Sequence, residues 1–598
     1  MRRFSFPILT LLFAMMPKAS WADHTWADHS ALSKGTWVKI ALTEGKDGVY
    51  AISYSQLRNW GFSNPSQVGV YGYGGHTLTE SFRSQHIDDV PEVAALHDDA
   101  NQRILFYGRG LIEWTYNTSN GFVQRQHPYA TTAYYFLHQK DEAAPLSPDT
   151  LLSNSAVAPS DTLSEYDEYW LHEKENVNVG ETGRWWYGEN FTNDQKQIFN
   201  LPEESWLSGH TIKAGTGRVA IGFLTHSSSA SKLAININDN EIGTQSVSAT
   251  TSGYAFGTEA TFREYLSELD DMSSAKVRLE FTDGKTTASL ARLNYIRVQG
   301  KCDLTASDKE AFMLFRNSAA RNGLQAYRLN GLNSNMQVWD VTSPTEIKLQ
   351  QVVTESDGSS VFVPIETGIR EYTVVNLASN GFLSVSKVGN VANQDLHSLQ
   401  PANLVILTPS GLSNYAKKLA EHRATHDGLS YIIVTPRDIY NEYSSGVPDA
   451  TAIRLFLKQL YDRADGGDND LLYFLLFGDG SYDNFSASQS NYLLPTYQTE
   501  YSLAETSSTT VDDYFGFLED SDGGRTSNGY YNLNSEGLDI GVGRLAISST
   551  YEAEAVVNKL IAYDNSSQMG NWKNLLCFLS DDDKMDSSGT DSPNLHMR

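Results

Sequence analysis

The chain has 598 residues, 45 basic and 72 acidic, for a net charge of −27 at pH 7; 40% are hydrophobic and 11% aromatic. At roughly 150 residues per domain this length suggests about three to five domains, and the apolar share excludes wholesale disorder. The acidic balance argues against nucleic acid and anionic lipid as main partners. The two cysteines, Cys302 and Cys577, exclude a disulfide scaffold and a cysteine-built zinc site.

Residues 1–22 read as a signal peptide: Arg2 and Arg3, then the apolar run FPILTLLFAMM, then Ser20 and Ala22 at the small positions before a cut. No later stretch has the about 20 apolar residues a membrane-spanning helix needs, so the mature chain is expected to be exported without a transmembrane segment. Residues 23–140 form an expected N-terminal β domain, in which TWVKIAL, GVYAISY, VGVYGYG and RILFYGRG are β-branched and aromatic runs between turn residues. PEVAALHDDAN at 91–101 reads as a helical turn among them. Residues 141–161, rich in Ser, Pro and Ala, read as a linker. Residues 162–300 offer RVAIGFLTH, KLAININ, AKVRLEFTD and LNYIRVQ at the spacing of a β-sandwich. A third β module at 301–398 includes MQVWDVTSP and SVFVPI.

From 399 to 598 the pattern alternates strand and helix. NLVILTP, SYIIVTP, LLYFLLF, LDIGVGRL and NLLCFLS are short apolar runs of the kind buried in a parallel sheet. Between them lie an expected helix at 413–427 capped by Gly428, one opened by Asp449, and one opened by Ser549 and Glu552 at capping-box spacing. Ile453, Phe456, Leu457, Leu460 and Tyr461 fall on one face of the second. The fold class is therefore multidomain: β-rich N-terminal modules including a β-sandwich, then an α/β domain with a mainly parallel sheet.

Ligands collect at the carboxyl ends of such strands. Three ends are glycine-rich or acidic: Gly478-Asp479-Gly480-Ser481-Tyr482-Asp483, Gly541-Val542-Gly543-Arg544, and Asp581-Asp582-Asp583 with Asp586 and Asp591 downstream. Taken singly, each reads first as a set of turn residues. Asp520 and Asp522, like Asp479 and Asp483, read first as a solvated acidic loop and second as calcium ligands, since neither pair reaches the oxygen count of an EF-hand loop. Cys302 has no histidine beside it, and Cys577 sits in an apolar run expected to bury it. HExxH and GxSxG are absent from the sequence.

At this point several separated motifs agree in order. ANLVILTPSGLSNYAKKLAEHRATHDGLSYIIVTPRDIYNEYSSGVPDATAIRLFLKQLY, LLYFLLFGDGSYDN, VDDYFG and LDIGVGRLAISSTYEAEAVVNKLIAYDN resemble the gingipain-type (C25) cysteine peptidase family from about residue 401 onward. GTWVKIALTEGKDGVYAISYSQLRNWGF, VGVYGYGG and QRILFYGRG are similar to the N-terminal region of the sortase branch of that family, which serves the type IX secretion system. The resemblance implies a caspase-like α/β fold and peptide-bond cleavage by a Cys–His dyad, with no cofactor required. It implies protein substrates, namely secretion cargo whose C-terminal signal is cut before transfer to a surface carrier, and partners in the type IX surface complex. The compartment implied runs from the periplasm to the outer-membrane surface. The dyad motifs are expected beyond Arg598, so no catalytic residue is assigned within the chain. The chain is expected to be inactive alone, as the N-terminal part of a longer product. Asp582 and Asp591 align near acidic positions that line the family's substrate pocket. The competing reading is a non-catalytic secreted binding or adhesion protein with a relic peptidase domain. Trp185 and Trp186 would then be a recognition platform, against the commoner reading of a buried pair beside Arg184.

Overall fold

The structure, a computed structural model, describes residues 25–155, 159–192, 194–203, 210–282, 289–523, 537–567, 570–575 and 577. The expected signal peptide and the acidic run containing Asp582 and Asp591 lie outside the described residues.

The N-terminal strands alternate buried and half-buried side chains and close over an apolar core containing Val38, Ile40, Tyr50, Ile52, Phe106 and Leu137. Trp37–Leu42 pairs with Tyr134–Gln139 on one side and with Val385–Val391 on the other. The end of the third module thus returns to complete the first domain, a pairing no local pattern announces. The 91–101 segment is not a helical turn: Glu92–Val93 pairs with Val68–Tyr71 and Leu96–Asp98 with Arg103–Gly108. Open ladder edges and burial of Val93, Ala94 and Ala95 override the weak helical preference of its alanines.

The β-sandwich is present as expected. Glu165–Glu173, Leu290–Asp303, Arg218–His226 and Thr258–Tyr265 form one antiparallel sheet; Lys196–Leu201, Ala275–Thr282, Ser231–Ile237 and Asn240–Val247 form the other. Ile221, Phe223, Ile235, Leu279 and Ile296 fill the space between them. The segment read as a linker is laid down in part as strand. Two Asp-Thr-Leu triplets, Asp149–Leu151 and Asp161–Leu163, add parallel strands to Lys348–Gln350 and to Gln325–Leu329 of the third module. Three residues are too few to show a period, so composition alone read as linker.

In the last domain β1 (Leu404–Leu407), β2 (Tyr431–Val434), β3 (Tyr473–Phe477) and β4 (Gly541–Leu545) run parallel in the order β2-β1-β3-β4. Helix α1 (Ser413–Asp427) ends on Gly428 in the left-handed conformation, φ 76°, which glycine adopts without steric cost. It covers one sheet face together with α5 (Thr550–Asp564), burying Ile406, Leu419, Ala420, Phe477 and Val557. Helices α2 (Pro436–Tyr443) and α3 (Ala450–Asp462) cover the other face. Asp449 caps α3 through Thr451 N at 2.8 Å, and Ile453, Phe456, Leu457 and Leu460 are all fully buried against Val405, Phe474 and Leu476, as their common face requires. Tyr461 is only half-buried. The expected strand at 574–580 falls largely outside the described residues. Its described start is a 3-10 turn, Asn571–Asn574, and Cys577 is exposed rather than buried. Among the described residues no helix is long and apolar enough to cross a membrane.

Candidate functional site

The carboxyl ends of β1 and β2 open into a cleft of about 880 Å³. Pro409 and Ser410 follow β1, residues 435–438 follow β2, and Leu493 and Pro495 come from the loop after β3; the opposite wall is residues 388–394 and Lys39 of the N-terminal domain. Chain direction explains the placement, because every strand of a parallel sheet delivers its following loop to the same end. Lys39 donates to Gly446 O at 2.7 Å and Asn441 Oδ1 at 3.3 Å, and its ammonium lies 4.1 Å from the Tyr134 ring centre. Burial, with Arg437 adding repulsion, pulls it down from 10.5 to about 7. A lysine that titrates near neutrality in a cleft is a candidate for proton transfer or anion binding. Sequence reasoning passed over it: TWVKIAL reads as a strand with one charged residue, and its partner Arg437 is nearly four hundred positions away.

The Gly-Asp-Gly loop after β3 is built for rigidity. Asp479 N donates to Ile547 O at 2.9 Å and Leu494 N to Asp479 O at 2.8 Å. The Asp479 carboxylate takes Gly480 N at 2.9 Å. Asp483 caps the single turn α4 (Asn484–Ala487) through Ser486 N at 3.1 Å. Asn484 exchanges two hydrogen bonds with the Thr496 backbone. Arg544, from the Gly-Val-Gly-Arg end of β4, ties this rim together. It donates to both Asp512 oxygens at 2.7 and 2.8 Å and to Gly478 O and Pro495 O at 3.2 Å each. Asp479 and Asp483 are thus turn and cap residues.

Asp520 pairs with Lys458 Nζ at 2.6 Å, and Asp522 accepts from Glu519 N at 3.1 Å; among the described residues they are not gathered with a third ligating side chain. Cys302 is buried in the sandwich, where desolvation pushes its thiol well up; Cys577 lies apart on the surface. No pairing of either with a histidine occurs among the described residues' hydrogen bonds. Trp186 packs on Tyr482 and Phe485, and Trp185 on Tyr501, with ring centres 4.8–6.2 Å apart. Beside them Arg184 pairs with Glu80 at 2.8 Å. The tryptophans therefore weld the sandwich to the Gly-Asp-Gly rim.

Sequence reasoning also missed a buried charge cluster. His397 is fully buried, with Nδ1 2.6 Å from Glu442 Oε2 of α2 and Nε2 3.0 Å from Asp88 Oδ1. Its ring stacks on Tyr443, centres 4.6 Å apart. Burial opposes its charge, but the hydrogen bonds it donates to Asp88 and Glu442 prevail and raise it to about 9. Asp89 joins the cluster and accepts from Ala31 N and Ser30 Oγ. Because Asp88 belongs to the N-terminal domain and Glu442 to the α/β domain, the imidazolium locks one to the other behind the cleft.

Residues 397–597 match the model of Peptidase family C25. The dimeric latent PorU of Porphyromonas gingivalis superposes on the chain with a TM-score of 0.78 at 28% identity, covering 92% of this chain and 52% of that one. The chain thus spans about half the length of PorU. The gingipain-type resemblance read from the motifs holds, and so does the order of β modules followed by a parallel α/β domain. A carbohydrate-binding module, CBM36 in complex with calcium and xylotriose, covers 21% of this chain and 98% of its own at 10% identity. A module of Cellvibrio mixtus lichenase 5A covers 21% and 85% at 16% identity. Both have TM-scores of 0.14, too low to bear on function. No curated protein sequence matches the chain.

Proposed function

We propose that this chain works in a PorU-like cysteine endopeptidase that removes the C-terminal signal of type IX secretion cargo at the cell surface and passes the cargo to a carrier. The observation that supports this most is the extent of the likeness to PorU. It takes in 92% of the chain, so the β modules and their docking onto the α/β domain match along with the peptidase segment. Within that enzyme the residues here supply the frame: the cleft at the ends of β1 and β2, the rim pinned by Arg544, and the domain lock at His397. The chemistry belongs to a thiolate–imidazole dyad. The imidazole takes the thiol proton, the sulfur attacks the scissile carbonyl, and backbone amides stabilise the oxyanion. Cys302 does not serve as that thiol, because burial holds it protonated. The pocket-rim role of Asp582 and Asp591 is part of the same proposal, as is calcium at Asp520 and Asp522.

The test is to treat the 598-residue chain, and the product of the reading frame extended past Arg598, with an active-site-directed thiol alkylator and with a peptide spanning a cargo signal junction. Cleavage by the extended product alone supports the reading. Turnover by the 598-residue chain that Cys577→Ala abolishes would instead place the nucleophile inside it.

A further inference from the structure

At the opposite end of the α/β domain from the cleft, α1 and α5 bring three side chains together. Both helices follow parallel strands of one sheet and cover the same face of it, so their carboxyl ends emerge side by side. His422 and His426 occupy the last two turns of α1, four residues apart and hence on one face; Asp564 is the last residue of α5. His422 Nε2 lies 2.8 Å from Asp564 Oδ2, and the two imidazoles stack with centres 5.3 Å apart. One ligating atom from each of the three side chains lies within 4.8 Å of the others. His426 donates from Nδ1 to Asp427 Oδ1 at 2.7 Å, the carboxylate support that stands behind metal-ligating imidazoles, and its Nε2 is left for an ion.

We propose that His422, His426 and Asp564 form a zinc site that clamps α1 to α5. Two imidazoles and one carboxylate suit a borderline-soft first-row cation, whereas calcium takes oxygen ligands alone. Zinc at 2.0–2.1 Å from each ligand would draw the ligating atoms to about 3.3 Å apart, which the exposed His426 meets by a rotamer adjustment toward the half-buried His422 and Asp564. Two converging helix carboxyl ends add a negative field that favours a cation. Arg423 binds both Asp564 and Asp427; it positions the two carboxylates and leaves the imidazoles to the metal. Water completes the coordination, since His426 is open to solvent, with 42% of its side chain exposed.

The experiment uses the full chain, stripped with chelator and dialysed, then titrated with Zn2+ while metal content and thermal unfolding are followed, and with Co2+ while the visible d–d band is followed. One ion per chain, a melting temperature that rises with free Zn2+ and a tetrahedral-type Co2+ band are expected. His426→Ala, at an exposed position that does not hold the fold, should weaken binding tenfold or more, and so should His422→Ala. His29→Ala, remote and exposed, should leave it unchanged. A bare histidine–aspartate ion pair would give no Zn2+-dependent shift and no Co2+ band on the unaltered chain. That result, or a shift retained in the His422→Ala/His426→Ala double variant, would overturn the site.

Discussion

Replacing His397 by Leu removes the cation from a fully buried site while leaving Glu442 and Asp88 in place. Two lines of reasoning give the magnitude. Breaking a buried pair by deleting one partner costs about 3–5 kcal/mol, because the remaining charge is uncompensated. Independently, raising the imidazole from 6.5 to about 9 is worth about 3 kcal/mol of folding free energy where the group is charged. Because the folded value lies above the unfolded one, that contribution is complete below pH 6.5 and is lost as pH rises through about 9. Urea unfolding of both proteins at pH 6, 7.5 and 9.5 should therefore show the largest gap at pH 6 and a narrowing gap above pH 7. The Glu442 carboxylate also accepts from Leu396 N at 2.9 Å and Gln394 Nε2 at 2.8 Å, so a local loosening of 394–397 should accompany the loss and appear as faster amide exchange there. A gap below about 1 kcal/mol, or one that stays constant across pH, would refute the reasoning.

Phe456→Ala should cost about 3–5 kcal/mol, since the ring is fully buried between α3 and the sheet and meets Tyr443 edge-on; an unchanged denaturation midpoint would remove it from the core. The Lys39 amine should titrate near pH 7 by side-chain NMR. Its folded value is below the unfolded 10.5, so the unfolded chain binds more protons between about pH 7 and 10.5 and stability rises with pH across that window, a slope that Lys39→Met should flatten. A Lys39 amine titrating above pH 10 would contradict this. Arg544→Met leaves Asp512 and two carbonyls without their shared donor and should destabilise the rim by about 1–3 kcal/mol, read as increased proteolysis after Tyr482; equal resistance would count against the pinning role. A thiol reagent should label Cys577 in the native chain and Cys302 only after unfolding, and prompt labelling of both would contradict the buried placement.

What the sequence discloses here is what repeats over several turns or strands. The α3 face, the parallel runs and the capping residues Asp449 and Ser549 are local patterns, and each appears in the structure where periodicity and cap chemistry put it. Three-residue strands such as Asp149–Leu151 carry no measurable period, and Glu92–Val93 takes its conformation from ladder partners far along the chain. The same distance hides the site's electrostatics. Lys39 is perturbed by burial and by Arg437, and His397 by Asp88 and Glu442; no spacing rule links residues that meet only after three domains have docked. The misplacement of Cys577 has the converse cause, since an apolar run states a preference for burial without naming the surface that supplies it. Family resemblance reached further than patterning because it encodes those distant contacts implicitly, and it did so for the modules ahead of the α/β domain as well as for the domain itself.

The most direct measurement is the mass of a type IX cargo protein at the cell surface in cells with and without the reading frame that encodes this chain. With the frame intact, the cargo should lack its C-terminal signal and carry the added mass of a surface carrier. With the frame deleted, it should keep the signal and lack the carrier, and the frame supplied in trans should restore both changes. Cargo processed identically in the deletion strain would contradict a PorU-like role.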